Sequence, residues 1–407
     1  MWWPAAAVTA RVTGDLGLAE DAVQEACLAA LAQWPEQGIP ANPGGWVAAV
    51  ARRRAIDVQR REAARPGKER AAAADWHDQA GAGGRPALDM DDQLALIFTC
   101  CHPALDPAAQ VALTLRVVCG IPTASIAAML LVAEPTLAQR LVRAKRKIRE
   151  AVIPLRMPDP AERAARLAGV LRVVYLVFTE GHFARSGSDL VNAGLCEESL
   201  RLARALHMLL RDEPEVTGLL ALILLTDARR PARLDARADL VLLADQDRSL
   251  WDRSKIGEGI ALLEAALAMH RPGPYQLQAA IAACHAEAAS HDQTDWPQIT
   301  ALYGELLRWE SSPVIQVNRA VAVSMSQGPP AGLEILDSLT SRPELSRWPQ
   351  LQIARAGLLA RAGRADEAVA AYQAALAMDP SPAECRSITA RILELTSAQP
   401  APDHQER

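Results

Sequence analysis

The chain has 407 residues and a mass of 43.7 kDa, room for two to four domains at roughly 100–200 residues each. Half of it is hydrophobic, 4% is aromatic and 22% is charged, which excludes collagen, a disulfide scaffold and disorder along the whole length. The net charge of −5 is unevenly spread: residues 1–153 hold 17 Lys+Arg against 16 Asp+Glu, with the basic residues clustered and the acids scattered.

Alanine, the best helix former, fills whole stretches, and the aromatic residues that strands favour are few, so the predicted class is all-α. Seven cysteines with no CxxC spacing predict a reducing compartment, the cytoplasm, rather than a disulfide framework. The opening Met-Trp-Trp-Pro has neither the charged nor the long apolar part of a signal peptide. The most apolar run, 216–226, is about half of the ~20 residues a membrane span needs, and it is predicted to be a buried helix.

In chain order, the first predicted region is helical over about 4–62. Asp21, Gln24 and Glu25 fall at i, i+3 and i+4 on one polar face, and Val23, Cys27, Ala30 and Trp34 form the apolar stripe beside it. Asn42-Pro43-Gly44-Gly45-Trp46 then opens a helix that carries Arg52, Arg53, Arg54, Arg60 and Arg61. Residues 63–88, with Arg65-Pro66-Gly67 and Gly81-Ala82-Gly83-Gly84-Arg85-Pro86, read as a flexible tether.

A second small helical unit is predicted over 89–153. A short helix, 123–130, and a turn, 131–133, lead into a helix from Glu134 to about Arg149 with proline in its first turn. On that helix Leu137, Leu141, Ala144 and Ile148 form an apolar stripe. Thr136, Gln139, Arg140 and Arg143 lie on another face, and Lys145, Arg146, Lys147 and Arg149 continue the charge. Residues 134–149 hold six basic residues and one acid. A helix-turn-helix that reads the major groove needs a buried stripe, polar residues for base edges and cations for phosphates.

Prolines at 154, 158 and 160 end this unit, and a long acidic helical region, 161–395, follows. Ala301-Leu302-Tyr303-Gly304-Glu305-Leu306-Leu307, followed by Ser312-Pro313, recurs 69 residues later as Ala370-Ala371-Tyr372-Gln373-Ala374-Ala375-Leu376, followed by Ser381-Pro382. Arg319-Ala320 recurs after 36 residues as Arg355-Ala356. The unit from Ala354 to Pro380 resembles a tetratricopeptide repeat, so 260–395 is expected to stack helix pairs into a solenoid. No period is visible in 161–259.

Together these residues resemble a sigma factor of the extracytoplasmic-function group. Leu18-Ala19-Glu20-Asp21-Ala22-Val23-Gln24-Glu25 is similar to region 2.2, and residues 46–61 to regions 2.3 and 2.4. Residues 105–150 are similar to region 4. Phe98-Thr99-Cys100-Cys101-His102-Pro103 and the stretch 239–248 resemble a subgroup with a long tetratricopeptide-like C-terminal extension. The resemblance implies that Asp21, Gln24 and Glu25 bind the β′ clamp helices of core RNA polymerase. It implies that Trp46, Arg52, Arg53, Arg60 and Arg61 act on the −10 element. Thr136, Gln139, Arg140, Arg143, Lys145, Arg146 and Lys147 would act on the −35 element, with the β flap as a second polymerase contact. The chain departs from the family at Val58 and Gln59, where a polar and an apolar residue are usual, and in its first helix, which normally begins some twenty residues further upstream.

The expected organisation is region 2 over 1–62, a linker over 63–88, region 4 over 89–153, a helical extension over 161–395 that regulates the sigma core or binds a protein partner, and a disordered tail over 396–407. A helix-turn-helix regulator that does not replace sigma is the alternative, and the polar face at Asp21 and the tether argue against it. Cys100, Cys101 and His102 are adjacent rather than spaced for chelation, so buried packing is expected of them. The histidines form no HExxH or triad pattern, and Asp245, Asp247 and Asp252 beside Arg248 and Arg253 read as an ion-pair network or docking surface. No cofactor, metal site, membrane contact or catalysis is expected.

Overall fold

The computed structural model describes residues 2–63, 90–130, 132–151, 153–182, 191–236, 239–342, 345 and 348–397. The predicted tether beyond Ala63 and the predicted tail beyond Ser397 lie outside the described residues. Among those described there are eighteen α-helices and no strand, only an isolated bridge between Leu234 and Leu240. The class is all-α, as the composition predicts. The chain divides into two compact units, Met1–Val177 and Phe178–Arg407.

The first unit begins with α1 (Trp2–Thr13), α2 (Leu16–Gln37) and α3 (Pro43–Ala63). Their shared core is made mostly of alanines, among them Ala5, Ala22, Ala26, Ala48, Ala51 and Ala55, with Val23 and Val47. Small side chains let the three helix axes approach closely. Gly14, with φ +69°, takes the left-handed turn between α1 and α2 that a side chain would resist. Asp15 then caps α2, accepting from the N–H of Gly17 at 2.7 Å and of Leu18 at 3.2 Å. Gln59 departs from the usual apolar residue for a visible reason: its Nε2 donates to the Thr13 carbonyl at 2.7 Å and ties α3 to the end of α1.

Next come α4 (Met90–Cys100), α5 (Pro107–Val117), α6 (Thr123–Met129) and α7 (Glu134–Glu150). α5 and α6 pack on α7. Cys100 and Cys101 are buried at the end of α4, and burial pushes the Cys101 thiol up to about 12 and the Cys100 thiol well up. His102 shapes the following corner: its Nδ1 accepts the Ala104 N–H at 3.1 Å, and its carbonyl accepts Gln110 Nε2 at 3.0 Å. These residues pack, as expected of them.

α8 (Pro160–His182) does not wait for the extension to begin. Arg166 is buried on it, donating to the Phe98 carbonyl at 3.4 Å and pairing with Glu162 at 3.2 Å. Gly169 sits so close to α5 that a Cβ would lie 2.7 Å from Gln110 Oε1. The first unit therefore closes at Val177, inside α8, later in the chain than the prolines that end the region-4-like stretch.

The second unit contains α9 (Ala193–Leu209), α10 (Pro214–Asp227), α11 (Arg253–Leu267), α12 (Pro274–Glu287), α13 (Trp296–Trp309), α14 (Pro313–Gln327), α15 (Pro329–Thr340), α16 (Pro349–Arg361), α17 (Ala365–Leu376) and α18 (Pro382–Ser397). α10 is the apolar run read from sequence as a buried helix, and it is buried almost throughout, against α9, α11 and α12. From α12 onward, alternate helices open on Pro274, Pro313, Pro349 and Pro382, spaced by 39, 36 and 33 residues. That is the interval of the predicted repeat, and from α13 onward the helices pack chiefly on their chain neighbours. At Gly332 a Cβ would meet the Ala320 carbonyl at 2.6 Å, so α15 approaches the backbone of α14 directly. Two ion pairs reach much further along the chain. In the stretch between α10 and α11, Asp239 pairs with Arg386 of α18 at 2.5 Å and Asp245 with Arg391 at 3.6 Å.

Candidate functional site

The first unit presents three polar surfaces. On α7 the buried stripe is Leu137, Leu141, Ala144 and Ile148, the four residues named from periodicity. Fully burying each Leu or Ile there is worth about 1.5–3 kcal/mol, so the stripe fixes which face of the helix turns outward. Thr136, Gln139, Arg143, Arg146 and Lys147 are exposed, Arg140 is half-buried, and Pro135 starts the helix without a side-chain cap. Arg143 Nε donates to the Gln139 carbonyl at 3.4 Å, and Arg146 pairs with Glu150 at 3.6 Å. Among the described residues the outward face of α7 is thus open to solvent along most of its length.

Lys145 is the exception. It pairs with Glu20 of α2, which is 6% exposed and also binds Arg116 Nε at 2.7 Å. A turn further along, Arg149 lies 3.8 Å from Asp15. One edge of α7 therefore rests on the acidic start of α2. Sequence reading placed Lys145 among the phosphate contacts and Glu20 in a motif, but it did not join them.

On α2, Asp21, Gln24 and Glu25 are exposed on one face, as their spacing predicts. Glu25 makes a solvent-facing pair with Arg54 at 2.7 Å. Two residues that sequence reading missed extend this face: Leu28 is 66% exposed and Leu31 73%. Their signal was present, since Leu28 lies seven residues from Asp21 and Leu31 seven from Gln24, the spacing of one helical face. A polar ridge continued by bare leucines suits a protein partner better than solvent.

On α3, Arg52, Arg53, Arg60 and Arg61 are exposed and make a basic strip. Trp46 is half-buried and packs edge-on to Trp34, with ring centroids 5.6 Å apart. It stands at the head of the strip as part of the core that positions it. No helix among the described residues is long and apolar enough to cross a membrane.

Comparison with known proteins agrees with this arrangement. The family model of Sigma-70 region 2 matches residues 5–65 and that of Sigma-70, region 4, matches 95–148. A family of unknown function (DUF6596) matches 166–267. An uncharacterized protein of Rhizobium meliloti (strain 1021) is 44% identical over 391 residues, covering 95% of this chain and 92% of that protein. A protein of Mycobacterium tuberculosis (strain CDC 1551 / Oshkosh), described as a probable ECF RNA polymerase sigma factor SigI, is 32% identical over 186 residues, 44% of this chain and 58% of its own length. The two sigma matches fall on the units that carry the α2, α3 and α7 surfaces, in the order of the family, and nearly the whole length is shared with a relative that has the same long continuation. The chain belongs to the sigma-70 family, as a sigma factor of the extracytoplasmic-function type with a C-terminal extension.

Proposed function

We propose that the three surfaces divide the work of transcription initiation among them. The ridge of Asp21, Gln24 and Glu25, continued by Leu28 and Leu31, docks on the β′ clamp helices of core polymerase. Arg52, Arg53, Arg60 and Arg61 of α3 follow the DNA backbone at the −10 element, with Trp46 setting the start of that strip. On α7, Thr136, Gln139, Arg140 and Arg143 read −35 base edges, and Arg146 and Lys147 hold phosphates, with Lys145 beside them in the same strip but held on Glu20, next to a contact with the β flap. Region 2 occupies 1–62, region 4 occupies 89–153, and 63–88 tethers them. The protein acts in the cytoplasm, where its polymerase partner is. The helical extension over 161–395, tetratricopeptide-like in its later part, regulates the sigma core in cis or through a protein partner.

The observation that carries this reading is α7: four buried apolar residues turn a largely polar and basic face outward. Run-off transcription with purified core polymerase tests it. The full chain should direct initiation from its own promoter at a defined start. A chain ending at Val177 should change that output well beyond the effect of a surface point substitution. Equal transcription by the two chains, with and without cell extract, would remove the regulatory role. No promoter-dependent product from either chain would remove the division of surfaces.

A further inference from the structure

A stack of helix pairs is ordinarily open at both ends, because each pair packs only on its neighbours. The second unit is different. From α10 to α18 each helix packs on the next. The last helix then returns to the start of the series. Arg386 pairs with Asp239 at 2.5 Å and Arg391 with Asp245 at 3.6 Å, and both aspartates stand between α10 and α11. The succession of contacts is therefore a closed circuit.

The seat of that return contact is braced. The Asp239 N–H donates to Asp235 Oδ1 at 2.9 Å, and the Asp235 N–H donates to the Asp239 carbonyl at 3.0 Å. The Val241 N–H donates to the Arg233 carbonyl at 2.8 Å, and Gln246 Nε2 to the Val241 carbonyl at 3.2 Å. Both carboxylates are thus carried on a stretch whose backbone is already held.

α18 itself is held less evenly. It buries Ala383 and Ile388, whereas α16 and α17 bury four residues each. Ile392 and Leu395 pack on the core only in part, and Leu393 is 63% exposed. Its first turn is firm. The Ser381 N–H donates to Glu384 Oε2 at 2.9 Å, and Glu384 Oε1 accepts Gln350 Nε2 of α16 at 3.0 Å. Further along, the two pairs to Asp239 and Asp245 join side chains that are 40–62% exposed, where ion pairs are weak and screened by salt.

We propose that α18 is an electrostatic strap. It closes the helix stack of the second unit on itself, and it lifts about its Pro382 end when Asp239 and Asp245 are screened or taken by another basic group. Lifted, it uncovers the side of α17 that it packs on, together with the two carboxylates. A firm first turn, a small buried area and exposed charge pairs at the far contact are what such a movement requires. The strap does not depend on how the extension acts on transcription.

Hydrogen exchange of the full chain, read by mass spectrometry, tests it. Raising NaCl from about 0.05 to 1 M shortens the screening length to about 3 Å. Exchange over 386–397 and over 239–247 should then speed together by about 2–30-fold, the range for losing two exposed ion pairs, with α14 to α16 unchanged. This series needs no variant to fold. Arg386→Asp should speed both segments at low salt, and adding Asp239→Arg should slow them again. Salt-independent exchange over 386–397 would overturn the proposal. So would faster exchange there with 239–247 unchanged, which is fraying of a helix end, or a charge-swapped chain no slower than Arg386→Asp.

Discussion

Glu20 is the most consequential carboxylate in the first unit. It lies 6% exposed between Arg116, 2.7 Å away, and Lys145. Glu20→Ala would leave both cations facing a pocket without that carboxylate. Breaking a buried ion pair by removing one partner costs about 3–5 kcal/mol. The two cations keep some contact with water, their side chains being 18% and 23% exposed, so the lower figure of about 3 kcal/mol applies. For a unit of this size that lowers the melting temperature by roughly 6–12 °C, readable by scanning calorimetry. The same change releases Lys145, so binding to a −35 duplex should gain salt dependence equal to about one more phosphate contact. Adding Lys145→Met should recover part of the stability, with a coupling above about 1 kcal/mol in the double-mutant cycle. A melting shift of less than about 2 °C, the size expected for an exposed pair, together with an unchanged salt slope, would refute both the burial and the coupling.

Three further outcomes are expected. Changing Asp21 and Glu25 together to Lys should abolish co-elution with core polymerase while leaving the melting curve nearly intact, because among the described residues the one ion pair of this face is the solvent-facing pair of Glu25 with Arg54. Arg140→Ala should cost about 1–3 kcal/mol on promoters with one particular base and less on others, whereas Lys147→Ala should weaken all promoters alike and flatten the salt dependence; identical profiles would refute the division of α7 into reading and phosphate-holding residues. His285 is held neutral, its pKa lowered to about 3 by burial and then by Arg229 and Arg248. Between pH 3 and its ordinary 6.5 the unfolded chain takes up the proton and the folded chain does not, so the second unit should lose stability as pH falls through that window, and His285→Gln should make the loss shallower.

What could be read from the sequence was what repeats at short range. The α7 stripe, the turn before it and the bounds of α6 follow from periodicity and one proline, since local spacing alone decides which face is buried. The pairing of Lys145 with Glu20 could not be read, because it joins residues 125 apart, and no periodicity encodes a contact of that range. Trp46 was legible as an aromatic at the head of a basic helix, but its packing against Trp34 depends on the angle between α2 and α3. The missing period in 161–259 has a physical cause in α10, which is apolar on all sides because three helices surround it, so it shows no amphipathic rhythm. Arg248 was noticed only beside acids; the structure turns its guanidinium instead to the carbonyls of His285 and Ala288 at the end of α12.

The contact between Asp239 and Arg386 bears on how this protein is made. The two residues are 147 positions apart, whereas units in an open repeat array need only their neighbours. At a ribosomal speed of about 5–20 residues per second, Asp239 emerges roughly 7–30 s before its partner exists. During that interval the stretch after α10 is without these two ion pairs, while the α2, α3 and α7 surfaces have already left the tunnel. A nascent or nonsense-truncated chain would thus carry a finished sigma half and an extension that lacks the pairs to its last helix.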